Sequence, residues 1–343
     1  MEKVQVFIVG VGPSGLATTA CLSKLSIPYV IVEREDCIAS LWRKHTYDCL
    51  KLHIAKEFCE LPHLSYPTNS PTYILKDQFL RYMEDYVEQF NISPKFNTLV
   101  ESCMYDETRK CWIITTQDKV DGMVLDYASR FLVVLAGENS AGNILEIVGL
   151  ESFLGETIHS SSYKSGSGYV GKSVLVVGCG NSGFEISYDL AAHGANTSIV
   201  IRGPFHVMTK ELIHLGMILA QWHISLKIID FLLVLLANFL FGDLTKYGIV
   251  RPNMGPLLLK AKTGRSAVID VGTTELIKKG EIKEDNSMLN SDGIPKNSFP
   301  NHWKGANGLY CVRFGRRGLA GIAHDAKIIA NDIQANIKRA FFD

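Results

Sequence analysis

The chain writes the same short text twice. Val6-Phe-Ile-Val-Gly10-Val-Gly12-Pro-Ser-Gly15 returns 168 residues later as Val174-Leu-Val-Val-Gly178-Cys-Gly180-Asn-Ser-Gly183. Each copy is a short apolar run, rich in β-branched residues, that ends in G-x-G-x-x-G. Such a run suits a parallel strand buried on both faces. The first glycine permits a tight turn. The second lets the backbone approach a pyrophosphate, and the third lets the next helix lie close to the strand. One such signal is weak. Two, each followed by a helix-compatible segment and another strand, restrict the fold to α/β with two Rossmann-like dinucleotide-binding domains. A chain of 343 residues is long enough to give each its own core.

The two copies differ at the end of their second strand. After the first, residues 16–24 read as helix and residues 29–32 as strand, closed by Glu33. A carboxylate there accepts hydrogen bonds from an adenosine ribose and repels a 2′-phosphate. The site made by Gly10, Gly12, Gly15 and Glu33 therefore suits FAD or NAD rather than NADP. After the second copy, residues 184–193 read as helix and residues 197–201 as strand, closed by Arg202. A guanidinium at that corner fits a 2′-phosphate, which points Gly178, Gly180, Gly183 and Arg202 to NADPH. A solvated Glu33 and an unpartnered surface Arg202 are the plainer alternatives. In both copies the helix N-terminus offers free N–H groups and a favourable dipole to phosphates. FAD and NADPH in one chain mean hydride delivery to a flavin.

Between the glycine motifs, residues 112–116 and 131–134 read as strands around a polar 117–130, a small β-excursion that belongs to the first domain. The expected order is the first part of the FAD domain over 1–165, the NADPH domain over 166–280, and a return to the FAD domain over 281–343. The second domain is thus inserted into the first. Gly315–Gly321 opens a last helix over 322–338, a candidate cap for the flavin side. Lys plus Arg equals Asp plus Glu at 35 each, so no net field draws nucleic acid. The eight cysteines are dispersed, without metal-ligand spacing, which favours a reducing compartment and no metal. The first residues already read as strand, so no targeting leader is expected. The apolar stretch 215–241 is interrupted by Gln221, His223, Lys227 and Asp230. A spanning helix wants about 20 mostly apolar residues, so a buried or surface-docking helix is expected instead. The expected location is cytoplasmic, with peripheral contact at an endoplasmic reticulum membrane surface as the alternative. No stable protein partner is implied.

Phe153-Leu-Gly155-Glu-Thr-Ile-His159-Ser-Ser-Ser-Tyr163 matches the fingerprint F-x-G-x-x-x-H-x-x-x-Y/F of class B flavin monooxygenases, in the place where that family carries it. Ala39-Ser-Leu-Trp42, Tyr47-Asp-Cys-Leu-Lys-Leu-His53, Ala55-Lys-Glu-Phe-Cys59, His206-Val-Met-Thr-Lys-Glu-Leu-Ile-His-Leu-Gly-Met217, Gly242-Asp-Leu-Thr-Lys-Tyr-Gly248 and Val268-Ile-Asp-Val-Gly-Thr273 resemble the YUCCA branch of plants. The resemblance covers essentially the whole chain. It implies conversion of indole-3-pyruvate to indole-3-acetate, the main step of auxin synthesis, with FAD, NADPH and O2. In that chemistry a flavin-bound peroxide attacks the keto carbon and CO2 is lost, while the protein orients the cofactors and keeps water out. The resemblance also implies a candidate catalytic set of His53, Asn181, His159 and Tyr163. His53 aligns, through Ala55-Lys56-Glu57, with a flavin-proximal Asn of the wider family, and a packed loop histidine is the competing reading. His159 and Tyr163 are read as supports of the domain junction and nicotinamide site. Asn181 and Lys56 are weaker candidates near the two cofactors, and Trp42 is placed with the FAD-binding residues.

Three features depart from the family text. Ala136 stands where the family has Thr, and Leu135 where it has Ala. Arg313 stands at a usual Gly. Between Lys283 and Asp292 the family carries about 50 more residues, strands among them, whose loss is expected to open a sheet edge. Two other functions therefore stay open: a monooxygenase acting on a soft nitrogen or sulfur nucleophile, and an inactive nucleotide-binding homologue.

Overall fold

The computed structural model describes residues 1–137, 139–144, 153–201, 203–285 and 309–311, together with Lys327, Ala330, Asn331 and Gln334. The chain divides into two compact units. One comprises Met1–Thr46, Lys56–Ser161 and Lys296–Asp343, and the other Tyr47–Ala55 and Ser162–Pro295.

In the first unit, β1 (Glu2–Val9) leads through the glycine turn into α1 (Pro13–Lys24) and on to β2 (Tyr29–Val32). Phe7, Ile8, Leu16 and Leu22 are wholly buried. The helix begins three residues before the expected Leu16, because the fixed φ of Pro13 suits a first helical position and its missing N–H costs nothing there. Next come α2 (Ser40–Lys44) and α3 (Lys76–Gln89), which buries Phe79, Tyr82, Met83 and Tyr86 along one stripe. β3 (Thr98–Asp106), β4 (Cys111–Asp118) and β5 (Val124–Val134) form an antiparallel meander. The polar stretch 117–130 is thus mostly strand, contrary to the sequence reading. In a strand with one wet face, Asp126 and Arg130 point to solvent while Tyr127 and Ser129 point inward. The sheet runs β2-β1-β5-β4-β3, and Phe7, Val32, Ile114, Tyr127 and Leu132 make one core cluster. The meander therefore seals β1 from one side.

The second unit repeats the opening with β6 (Ser173–Val177), α4 (Asn181–Ala192) and β7 (Asn196–Val200). It continues with β8 (Val207–Met208), α5 (Lys210–Gln221), α6 (Leu226–Phe241), α7 (Pro256–Thr263), β9 (Val268–Ile269), α8 (Thr273–Lys279) and β10 (Ile282–Asp285). The sheet order is β10-β7-β6, all parallel. Its core holds Phe184, Ile199, Val207, Ile249, Ile277 and Ile282. One expectation fails here. β6 is not buried on both faces: Val174 and Val176 face the core, whereas Leu175 and Val177 are 46% and 43% exposed. The meander that covers β1 has no counterpart over this face among the described residues.

The apolar stretch 215–241 is two helices rather than one, parted at 222–225, where His223 has φ +58°. Asp230 turns inward and caps α7, accepting the N–H groups of Leu257 at 2.8 Å and Leu258 at 3.0 Å. Ile228, Phe231, Leu235 and Phe239 remain exposed on α6. No described helix is long and apolar enough to cross a membrane. Finally β11 (Leu309–Cys311) pairs with β5 in the first unit, parallel to Leu132–Val134. Of the expected last helix, Lys327, Ala330, Asn331 and Gln334 are helical. Arg313, Gly315–Gly321 and the junction from residue 286 to 308 lie outside the described residues.

Candidate functional site

The two glycine turns have the same geometry. Gly10 and Gly178 have φ of +101° and +116°, a region that L side chains rarely enter. A Cβ on Gly15 would stand 2.0 Å from the Gly10 carbonyl oxygen, and one on Gly183 2.0 Å from that of Gly178. These third glycines let helix and strand close together. Gly12 and Gly180 are the N-caps of α1 and α4, where a Cβ would meet nothing within 4 Å. Neither cap has a side-chain hydrogen bond, and neither first turn holds an acidic residue. Open space over uncapped N–H groups at a positive helix end is what a pyrophosphate needs. Both turns thus fit a dinucleotide.

Glu33 is buried at the end of β2. Its Oε2 accepts the Val11 N–H at 2.9 Å and its Oε1 the Glu35 N–H at 3.1 Å. The backbone thereby fixes the carboxylate beside the glycine turn, with lone pairs left for further donors. Arg202 lies outside the described residues. Leu135 is buried, and its backbone carbonyl limits Gly10: a Cβ there would be 2.6 Å from it. Trp42 lies on α2 with its ring 4.6 Å from that of Phe79. Lys56 donates to the Ser70 carbonyl at 2.6 Å.

Of the candidate catalytic set, Asn181 opens α4, and His53 and Tyr163 meet carboxylates on it. His53 and Tyr163 belong to the second unit, and His159 to the first. His53 Nε2 lies 2.7 Å from Oε1 of Glu185, whose Oε2 accepts the Tyr47 hydroxyl. One turn further, Asp189 accepts the Tyr163 hydroxyl at 2.6 Å and the Gly166 N–H at 2.7 Å. Tyr47 and Tyr163 meet edge to face, and Tyr163 stacks on Tyr169. Burial pushes the hydroxyls of Tyr47 and Tyr163 well above the usual tyrosine range, and the adjoining carboxylates push the same way. Asn181, the first residue of α4, accepts the Ile269 N–H at 2.8 Å, which ties the glycine turn to β9. His159 Nδ1 lies 2.9 Å from the Ser161 hydroxyl.

Sequence reasoning missed Glu185 and Asp189. Their signal was two carboxylates four residues apart on a helix that also buries Phe184, Ile186 and Leu190.

A sequence model described as pyridine nucleotide-disulphide oxidoreductase matches residues 7–214. The probable indole-3-pyruvate monooxygenase YUCCA10 of Arabidopsis thaliana is 45% identical over 377 residues, covering 98% of this chain and 98% of the relative. The chain belongs to the YUCCA family. YUCCA9 of the same plant, also a probable indole-3-pyruvate monooxygenase, is 42% identical, with 95% of this chain and 88% of the relative covered. Among solved structures, a flavin monooxygenase from Stenotrophomonas maltophilia is alike at TM-score 0.69 and 15% identity, over 98% of this chain and all of that one. OTEMO in complex with FAD and NADP is alike at TM-score 0.71 and 12% identity, over 98% and 86%. These likenesses establish the fold, an α/β architecture with two Rossmann-like sheets. The alignment with YUCCA10 spans 377 positions against 343 residues here, so at least 34 positions of it have no counterpart in this chain.

Proposed function

We propose that this chain is an FAD- and NADPH-dependent monooxygenase that converts indole-3-pyruvate to indole-3-acetate with O2. The observation that carries the reading is the pair of open glycine turns in a chain 45% identical, over nearly its full length, to a probable indole-3-pyruvate monooxygenase. Bound FAD supplies a hydride acceptor that reacts with O2, and NADPH supplies the hydride.

In this reading the chain's own residues orient and shield. Gly12 and the N-terminus of α1 hold the FAD pyrophosphate, with Glu33 beside the ribose and Trp42 on the same side. Gly180 and the N-terminus of α4 hold that of NADPH, and Arg202 takes the 2′-phosphate. His53, Asn181, His159 and Tyr163 make up the catalytic set. Asn181 supports the second turn through β9, and the buried, protonated Tyr163 supports the nicotinamide side. The proposed FAD domain is 1–165 with the return over 281–343, and the NADPH domain is 166–280, although β10 (Ile282–Asp285) pairs with β7 and Tyr47–Ala55 also sits in the second unit. The support for that division is the pairing of β11 with β5. The enzyme works in the cytoplasm, with peripheral contact at an endoplasmic reticulum surface as the alternative, which the exposed apolar side chains of α6 favour.

The test is indole-3-acetate formed per NADPH consumed by the flavin-loaded chain. Product that appears only with indole-3-pyruvate and O2 is the expected result. Oxygenation of a thioether or amine without indole-3-acetate would overturn it in favour of a nitrogen- or sulfur-oxidising enzyme. A purified chain that binds neither nucleotide would make it an inactive homologue.

A further inference from the structure

Glu185 is a buried carboxylate that belongs to neither glycine turn. It lies on α4, two residues past Gly183, and is 7% exposed. A carboxylate so far from water needs donors that replace the water it has lost. Two do so here: the Tyr47 hydroxyl on Oε2 and the His53 ring on Oε1. An ionised carboxylate can only accept. A neutral His53 therefore meets it with the proton on Nε2, and Nδ1 keeps its lone pair. Asp189, one turn on, provides a contrast. Its Oδ2 takes a tyrosine hydroxyl and a backbone N–H. The imidazole beside it, His193, is exposed and lies 3.3 Å from Oδ1, while its Nδ1 is 2.8 Å from Asp189's own main-chain carbonyl. Of the two carboxylates, Glu185 is the one that holds a half-buried imidazole brought in from another segment, Tyr47–Ala55.

We propose that Glu185 is a positioning residue, which holds His53 in the tautomer protonated on Nε2 so that Nδ1 serves the reaction as a hydrogen-bond acceptor. The second half of the inference rests on the assignment of His53 to the catalytic set. An acceptor at Nδ1 takes an N–H or O–H of the bound cofactor or substrate. The opposite tautomer would present an N–H there and repel the same partner. Tyr47, the second donor on Glu185, occupies the other oxygen and leaves Oε1 to His53.

Two-bond proton–nitrogen correlation on the holoenzyme, labelled with 15N at histidine, separates protonated from unprotonated ring nitrogens. His53→Gln identifies the His53 signals among the ten histidines. The wild-type protein is expected to carry the His53 proton on Nε2. Glu185→Gln keeps the shape but can donate as well as accept, so the preference should be lost. Indole-3-acetate formed per NADPH should then fall about tenfold, the scale of a misplaced reacting group. Tyr47→Phe should leave the His53 tautomer as it is. A wild-type His53 protonated on Nδ1 overturns the proposal, even if Glu185→Gln does not fold. So does a tautomer unchanged in Glu185→Gln. A changed tautomer with an unchanged product ratio overturns the part played by His53 in the reaction. A wild-type chain that makes no indole-3-acetate, yet shows the expected tautomer and its loss in Glu185→Gln, supports the positioning and overturns the proposed function instead.

Discussion

Gly12 and Gly15 stand three residues apart and answer to opposite demands. A side chain at Gly15 would strike backbone 2.0 Å away, whereas one at Gly12 would enter open space. Gly12→Val is therefore expected to fold, with a thermal midpoint close to that of the unmutated protein, and to lose FAD because its side chain takes the pyrophosphate's place. Flavin absorbance per chain reads this directly, and a fully yellow Gly12→Val protein would mean that the cofactor sits elsewhere. Arg202 is the residue proposed to choose the nicotinamide nucleotide. Its replacement by Gln should weaken NADPH binding by about 1–3 kcal/mol, the scale of a charge-assisted contact, and leave NADH binding unchanged. Titration of each nucleotide tests it, and equal affinities in the unmutated chain would refute the assignment.

One buried carboxylate caps α7 from α6, beside the packing of Leu257 against the apolar cluster that holds Ile229 and Leu233. Asp230 is the sole acidic residue of α6, and it faces the first turn of α7 rather than water. Pro256 leads that turn, so the N–H groups at Leu257 and Leu258 are the donors to be satisfied. Gly255 allows the approach, because a Cβ there would stand 2.3 Å from the Asp230 side chain. Asp230→Ala should cost about 1–3 kcal/mol, since two donors lose a charged acceptor. Asp230→Asn should cost less, because one oxygen remains. Denaturant unfolding measures both. Hydrogen exchange at Leu257 and Leu258 should quicken in Asp230→Ala, and unchanged exchange there would remove the cap from this account.

For the molecule as a whole, the two nucleotide units are unequal. The first has its strand β1 sealed by the meander β3–β5. The second leaves Leu175 and Val177 in water on β6, at the edge of its sheet. Its relative YUCCA10 has at least 34 positions that this chain lacks. An apolar face on an edge strand invites self-association. Restoring about 50 family residues between Lys283 and Asp292 should cover such a face and close the edge. The restored chain is expected to aggregate less, to hold more flavin, and to form more indole-3-acetate per NADPH. Size-exclusion profile, flavin absorbance and product ratio test the three in turn. A 343-residue chain that already carries one FAD and couples tightly would show the segment to be dispensable.

The strand–turn–helix openings were legible in the sequence because their physics is local. Gly10 and Gly178 need left-handed backbone, Gly15 and Gly183 need to lack a Cβ, and the contacts that impose this lie within a few residues. Family membership was legible too, through residue strings such as Phe153–Tyr163. What the sequence could not reveal depended on distant partners. The inward turn of Asp230 depends on a helix that begins 26 residues later. The bareness of β6 depends on which layers cover it, and an apolar strand reads the same whether covered or not. The company of His53 depends on Glu185, 132 residues away. Spacing along the chain says nothing about such a pair, because only the folded second unit removes the carboxylate from water and leaves it the imidazole and a tyrosine hydroxyl as donors.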